Sequence, residues 1–412
     1  MHESTNIQKG KQFQFLKTVL WLGLTAFGGP QMHLPHFKKR LIERKRFITQ
    51  EDLIEITAFC NLLPGPTTTQ TITTVGLKLG GPRLAILTVL FWALPGAALM
   101  LLLALSPKFL SAHQLQYISA TVVGFMVYGF LSMSQWMEKT PLNWGILIVS
   151  GILGFAIHTP LIFPIGVVLA ALISAKFGKH SGPKTILPKS EIKWRNLTVF
   201  FIIFTVVGAG GLFLSKYKTQ SKWLQPVVYF ENTYRMGALS FGGGNVLAAM
   251  TMEQYVHHKK RMTLDELNTG IGAIQAAPGP NFNLAVYTNA VAMRNAGYHE
   301  SGQILGGFIG LIAVFLPGIL LVLFAYPIWS ILQNYSGLQR SIPGIFAVSV
   351  GFILTASLIL CEQLLINIQN LPSSKISTHL FVLTSTVVML YSKKFSTPLV
   401  VLFSILVGWL LP

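Results

Sequence analysis

The residues best suited to chemistry in this chain come in two matched sets. Gly28 and Gly29 end an apolar stretch and lead into Pro30, and Gly242, Gly243 and Gly244 end another and lead into Asn245. Downstream of each cluster a second apolar stretch is interrupted, once by Pro64-Gly65-Pro66 and once by Pro278-Gly279-Pro280. Polar side chains flank both interruptions: Asn61 before and Thr67, Thr68 and Thr69 after the first, Gln275 before and Asn281 and Asn283 after the second. Proline lacks the N–H and disfavours helix in the residue before it, so each Pro-Gly-Pro ends one helix and lets another begin. The start of the new half-helix presents free N–H groups and the positive end of a dipole, which favour an anion. Threonine hydroxyls and asparagine amides add neutral donors. Such a cage suits a tetrahedral dianion without requiring a matching buried charge, whose desolvation is costly. Two plainer readings stand beside this one. Glycine clusters also serve close helix packing in membranes, and a proline break also serves as a packing kink.

Ionisable residues within apolar stretches are functional candidates by default. Glu231 and Arg235 are four apart and share a helix face, so Arg235 either attracts an anion or is neutralised by Glu231. Glu55, two turns before Pro64, is a proton-coupling candidate with Glu231, or else an interfacial residue at a helix start. Lys78 and Arg83 flank a loop and read as snorkelling side chains, and Glu362 reads as interfacial. His33-x-x-His36 and His257-His258 read as interfacial polar residues and not as metal ligands. No phosphate-binding lysine loop, nucleophile elbow or HExxH helix occurs, so neither a cofactor, a metal nor ATP drive is expected. Cys60 and Cys361 offer neither a disulfide framework nor metal-ligand spacing.

What must position these residues is membrane-embedded helix. Of 412 residues 52% are hydrophobic and 11% charged, whereas a soluble domain needs roughly a quarter charged. Apolar runs of about 20 residues, long enough to cross ~30 Å of hydrocarbon, recur along the chain. The spans read near 13–32, 52–79, 83–105, 113–136, 143–158, 160–176, 197–215, 223–250, 264–292, 300–327, 338–363, 377–392 and 396–411. The first run passes through Phe27 into a basic segment without a small-residue cleavage site, so it does not read as a signal peptide. The net charge of +18 reads as loop charge at lipid headgroups and not as a nucleic-acid footprint.

The chain repeats itself. Phe27-Gly28-Gly29 returns as Phe241-Gly242-Gly243 and Pro64-Gly65-Pro66 as Pro278-Gly279-Pro280, both 214 residues later. Gly23 meets Gly237, Thr49 meets Thr263 and Glu51-Asp52 meets Asp265-Glu266 at that same offset. Further on the offset drifts: Pro95-Gly96 matches Pro317-Gly318, and Val123-Gly124-Phe125 matches Val350-Gly351-Phe352. Thr49-x-x-Asp52 and Thr263-x-x-Glu266 have the spacing of capping boxes at helix starts. The organisation expected is an all-α polytopic membrane protein with halves at 1–178 and 223–412. Between them, 179–222 holds a basic linker and one connecting helix. Six spans per half plus that seventh crossing gives about 13, and starts the second half on the opposite side as an inverted repeat. If the Pro-Gly-Pro segments are re-entrant, the halves become parallel; the inverted arrangement is favoured.

These elements resemble the chromate ion transporter family in its long-chain, two-half form. That family likewise pairs a Phe-Gly-Gly-Pro-type element with a basic stretch and a Pro-Gly-Pro break in each half. The resemblance covers nearly the whole chain. It departs at Gly244, where the first half has Pro30, and at Asn61, where glutamine is expected and Gln275 retains it. The resemblance implies secondary, ion-gradient-driven export of chromate from the bacterial cytoplasm across the inner membrane, with sulfate as a structural mimic. A carrier for another oxyanion and a passive anion channel stay open, as does pairing as a homodimer. A membrane-embedded enzyme would need a nucleophile, a metal cluster or paired carboxylates at matched depth, and the sequence presents none.

Overall fold

The structure is a computed structural model that describes residues 2–27, 30–61, 63–106, 116–157, 159, 162–178, 198, 202, 205–206, 224–240, 244–329, 336–392 and 394–411. Gly28, Gly29, Gly242, Gly243 and nearly all of the linker with its connecting span lie outside the described residues. Among the described residues the regular structure is all helical. The first half runs α1 (His2–Thr25), α2 (Pro30–Phe37), α3 (Gln50–Asn61), α4 (Thr67–Leu105), α5 (Ile118–Trp136), α6 (Pro141–Ala156) and α7 (Ile162–Phe177). The second runs α8 (Gln225–Leu239), α9 (Gly244–Thr251), α10 (Leu264–Ala276), α11 (Leu284–Asn295), α12 (Glu300–Ala325), α13 (Ser336–Ile368), α14 (Ser373–Tyr391) and α15 (Thr397–Leu410).

Backbone features recur at the offset already found in the sequence. The basic stretches are π-helical, Lys38–Arg44 and Met252–His258, and two residues beyond each stands a residue of positive φ, Arg46 at 51° and Lys260 at 49°. Gly65 and Gly279 have φ of 116° and 86°. Both capping boxes form: the amide N–H groups of Asp52 and Glu266 donate to the Thr49 and Thr263 hydroxyls, and the reciprocal bonds also close. Each capping acid then ties its helix to the end of the next one, Asp52 to Lys78 and Glu266 to Arg294 at 2.9 Å. Lys78 is thus an ion-pair partner and not only a snorkelling side chain. Thr263→Ala removes one such cap, with an expected loss of about 1 kcal/mol, readable as a lowered unfolding midpoint in detergent.

Helix α4 folds back on itself at Gly80-Gly81, where Gly81 has φ 73°. Trp92 Nε1 then reaches Thr69 Oγ1 at 3.1 Å, so the segments before and after the bend run antiparallel. Helices α11 and α12 form the matching hairpin around Gly297 (φ 81°), with Gly310 against the Ala285 carbonyl and Gly306 against Asn289. The hairpins lie against each other. Asn283 Nδ2 donates to the Ala93 carbonyl (2.9 Å) and Arg294 to that of Ala104 (2.9 Å), so α11 runs in the direction of the later segment of α4. Corresponding segments of the two hairpins therefore point in opposite directions.

The remaining helices interlock. Helix α13 packs on α6 and α7, while its counterpart α5 packs on α14 and α15. Small residues permit the approach: a Cβ on Gly124 would collide with Thr386, and one on Gly351 with Ser150. Outside this core, α4, α6, α7, α12 and α15 expose Leu90, Leu94, Ile152, Leu172, Ile312, Leu402 and Leu406. A soluble monomer does not carry apolar surface on this scale. By length and composition four helices among the described residues suffice to cross a membrane, 67–105 (bent at Gly80-Gly81), 118–135, 300–325 and 339–368, with shorter apolar helices at 141–156, 165–177 and 397–410. The breaks cut the expected spans near 52–79, 223–250 and 264–292 into pieces of about two to four turns, and most of the span expected near 197–215 lies outside the described residues. The chain is a multi-pass membrane protein.

Candidate functional site at the helix breaks

Each Pro-Gly-Pro docks onto the opposite half. The Gly65 N–H donates to the Ser240 carbonyl at 2.7 Å, and the Gly279 N–H to the Ala26 carbonyl at 2.8 Å. Ala26 and Ser240 are themselves 214 apart and stand two residues ahead of the two glycine clusters. A helix end that has lost its next turn has carbonyls without intrahelical donors; here the other half's break supplies the donor. The crossing continues one layer out. Gly65 lies 3.6 Å, measured from a would-be Cβ, from Gly318, and Pro278 lies against Gly96. Each Pro-Gly-Pro thus rests on the other half's Pro-Gly.

Side-chain amides hold the breaks open. Gln70 Nε2 reaches back to the Pro64 carbonyl at 2.7 Å, while Asn283 spans the halves to Ala93. The amide oxygens of both residues are buried without a protein partner. Neither half-helix start is capped by a side chain, at Thr67 after Pro66 or at Leu284 after Asn283. Of the threonines in the first half-helix, Thr71, Thr73 and Thr74 turn their hydroxyls back to carbonyls one turn earlier, and Thr69 accepts from Trp92. That leaves Thr67 and Thr68 at the tip. Gly244 abuts Asn281, Asn245 abuts Gly129 on α5, and Gln275 is buried just ahead of its break. The side chain of Asn61 lies outside the described residues.

The charged candidates sit apart from this crossing. Arg235 Nε donates to Glu231 at 2.9 Å and Arg235 Nη2 to Asn232 at 3.0 Å, so the ion pair expected between residues four apart is formed. Arg235 precedes Ser240 by five residues, about 7.5 Å along the helix, and Glu231 by nine. Glu55 is exposed on α3, with the charge of Lys78 nearby. His33, read from the sequence as interfacial, is instead 1% exposed, with Nδ1 3.2 Å from the Thr68 hydroxyl. Sequence reasoning also passed over Gln70. Its one signal was an amide inside the threonine run.

The two halves differ in the polarity of one shared position set. Phe15, Val19, Leu41 and Val75 belong to an apolar cluster in the first half. At offset 214 stand Tyr229, Thr233, Tyr255 and Asn289. There, Asn289 accepts from the Tyr255 hydroxyl (3.1 Å) and donates to Thr233 (2.8 Å) and to the Ala285 carbonyl (2.8 Å). The Phe15–Phe47 ring pair is replaced by Tyr229 beneath the Arg261 guanidinium, 4.4 Å away. Among the described residues no group of three His, Cys, Asp or Glu has the arrangement of a metal site.

The chain is similar over 95% of its length to an uncharacterised transporter of Methanocaldococcus jannaschii, at 24% identity and covering 92% of that protein. Two proteins named chromate transport protein, from Pseudomonas aeruginosa and Cupriavidus metallidurans, are 22% and 21% identical over 96% of this chain and 92% of theirs. No solved structure matches. The family model described as Chromate transporter matches twice, at residues 13–175 and again at 227–409, each match taking in a glycine cluster and a Pro-Gly-Pro break. The chain belongs to the chromate transporter family.

Proposed function

We propose that the protein is a secondary transporter, not an enzyme, that exports an inorganic oxyanion, chromate with sulfate as its mimic, across the bacterial inner membrane. The single observation that carries this reading is the crossed pair of bonds, Gly65 to Ser240 and Gly279 to Ala26. Two uncapped half-helix starts, with Thr67, Thr68 and Asn281 as donors, lie beside that crossing, an arrangement suited to an anion. The glycine clusters, the Pro-Gly-Pro segments, Asn61, Asn245 and Gln275 complete the proposed site. The names of the Pseudomonas and Cupriavidus relatives support the substrate class.

The proposed architecture is an inverted repeat of about 13 spans, 1–178 and 223–412 joined through 179–222. Its support is that corresponding segments of the α4 and α11–α12 hairpins run in opposite directions, as an axis in the membrane plane requires. Alternating access then consists of one half's breaks loosening from the other's Pro-Gly pair. Glu231 and Glu55 are proposed as proton-coupling groups.

Uptake of labelled chromate into inverted membrane vesicles tests this, with and without a proton gradient and excess sulfate. Saturable, gradient-dependent uptake inhibited by sulfate is expected. Uptake indifferent to any ion gradient would mean a passive anion channel, and none above empty vesicles would reject the oxyanion reading. Thr67→Val and Asn281→Val each remove a donor to a charged ligand, about 1.5–3 kcal/mol. Each should lower transport by roughly tenfold or more at unchanged membrane abundance. Unaltered rates in both would make the breaks structural only.

A further inference from the structure

We propose that His33 is the proton-binding group of the oxyanion site, neutral while the site is empty and an imidazolium when a dianion is bound. The inference rests on the oxyanion reading above. His33 sits on α2, the short helix that follows the first glycine cluster, and its ring is enclosed by the edge of Trp92 at 5.1 Å and the ring of Phe37 at 6.4 Å. It touches both sides of the crossing. Nδ1 meets Thr68 at the tip of the first half-helix, and the ring neighbours the Ala26 carbonyl, the same carbonyl that receives the Gly279 N–H. Nε2 is buried and makes no hydrogen bond among the described residues, so with Nδ1 at Thr68 the ring has a nitrogen to spare for a proton and for a ligand.

The groups around it decide when that proton is held. Helix α4 presents Thr68 and Trp92, α1 presents Ala26, and α2 itself presents Phe37 and His36. His36 is the titratable group whose charge acts on the ring, and Lys39 and Arg40 act in turn on His36. None of these neighbours is a carboxylate. An imidazolium here would be a buried charge beside the positive end of a half-helix, with no counter-charge among these neighbours, and its desolvation is costly. A bound dianion reverses that balance, since it supplies the missing charge through Thr68 and the free nitrogen. In the second half the equivalent position is Leu247, buried and apolar, so the proton belongs to the first half alone.

Proton and anion must raise each other's affinity by the same factor. Affinity for the dianion should therefore climb by up to about tenfold per unit fall in pH across the range where His33 takes up its proton. Isothermal calorimetry of the purified full chain in detergent tests this. Sodium sulfate is titrated between about pH 5 and 8, the range of histidine switches, in buffers of different ionisation enthalpy. Sulfate is the cleaner probe because chromate itself titrates there. Wild type is expected to take up a proton fraction approaching one per sulfate. His33→Gln and His33→Asn, which keep an amide donor and cannot titrate, should bind more weakly, with no proton uptake and a flat pH dependence. Wild-type binding without proton uptake overturns the proposal and leaves the oxyanion reading intact, as does uptake preserved in both variants. A wild type that binds neither sulfate nor chromate overturns both. The wild-type stoichiometry decides even if the variants fold poorly.

Discussion

Gly65→Ala and Gly279→Ala should each cut oxyanion transport more than tenfold, while Gly81→Ala and Gly297→Ala should leave it near wild type. All four glycines hold positive φ, at 116°, 86°, 73° and 81°, so a side chain is strained at each of them, by about 1–3 kcal/mol. Strain is common to all four, and the surroundings are not. A Cβ on Gly81 or Gly297 would meet nothing within 4 Å. At Gly65 it would sit 2.9 Å from the Gln70 amide that holds the break open, and at Gly279 3.3 Å from the Trp92 carbonyl. Relief at Gly65 pushes Gln70 off the Pro64 carbonyl, and at Gly279 it shifts the Trp92 carbonyl or the bridging peptide by a few tenths of an ångström, so each disturbs the crossing itself. The four variants should lose similar stability in detergent and separate sharply in vesicle transport. Equal transport loss in all four would mean that strain, and not the crossing, accounts for the effect.

Asn289→Val should destabilise the protein by about 3 kcal/mol, and adding Thr233→Val and Tyr255→Phe should restore most of it. Asn289 is fully buried and makes hydrogen bonds to Thr233, Tyr255 and the Ala285 carbonyl. Removing it alone strips partners from buried groups, at about 1–3 kcal/mol each. Replacing the set together leaves no stranded group, and removal of both partners is close to neutral. The first half supplies the precedent, since Val19, Leu41 and Val75 fill the same positions within an apolar core. Unfolding in mixed micelles measures both variants. A triple variant less stable than Asn289→Val would show that the network contributes net stability beyond satisfying itself.

Much of the architecture was legible because its signals are local. Proline stops a helix wherever it stands, so the breaks at 64–66 and 278–280 were readable without a fold. Thr-x-x-Asp and Thr-x-x-Glu carry their capping bonds within one turn, and both formed. The offset of 214 needed only counting, and backbone dihedrals at Arg46, Lys260, Gly65 and Gly279 follow it. Lys38–Arg44 and Met252–His258, by contrast, gave no sign of π-helix, because the wider turn depends on what each helix packs against.

Residue order alone establishes a helical membrane protein, duplicated, with helices broken at matched positions. Composition sets the solvent, and residue type sets where a helix must stop. Which break meets which is a property of the folded chain. Pro-Gly-Pro in one half bonds to the helix end of the other, a pairing between residues 175 positions apart for Gly65 and Ser240 and 253 apart for Ala26 and Gly279. The fold likewise decides that Glu231 pairs with Arg235 and that His33 is enclosed beside Thr68. A histidine near a basic run looks interfacial from its neighbours in sequence. Its burial is set by Trp92 and Thr68, which reach it only because α4 folds back at Gly80-Gly81.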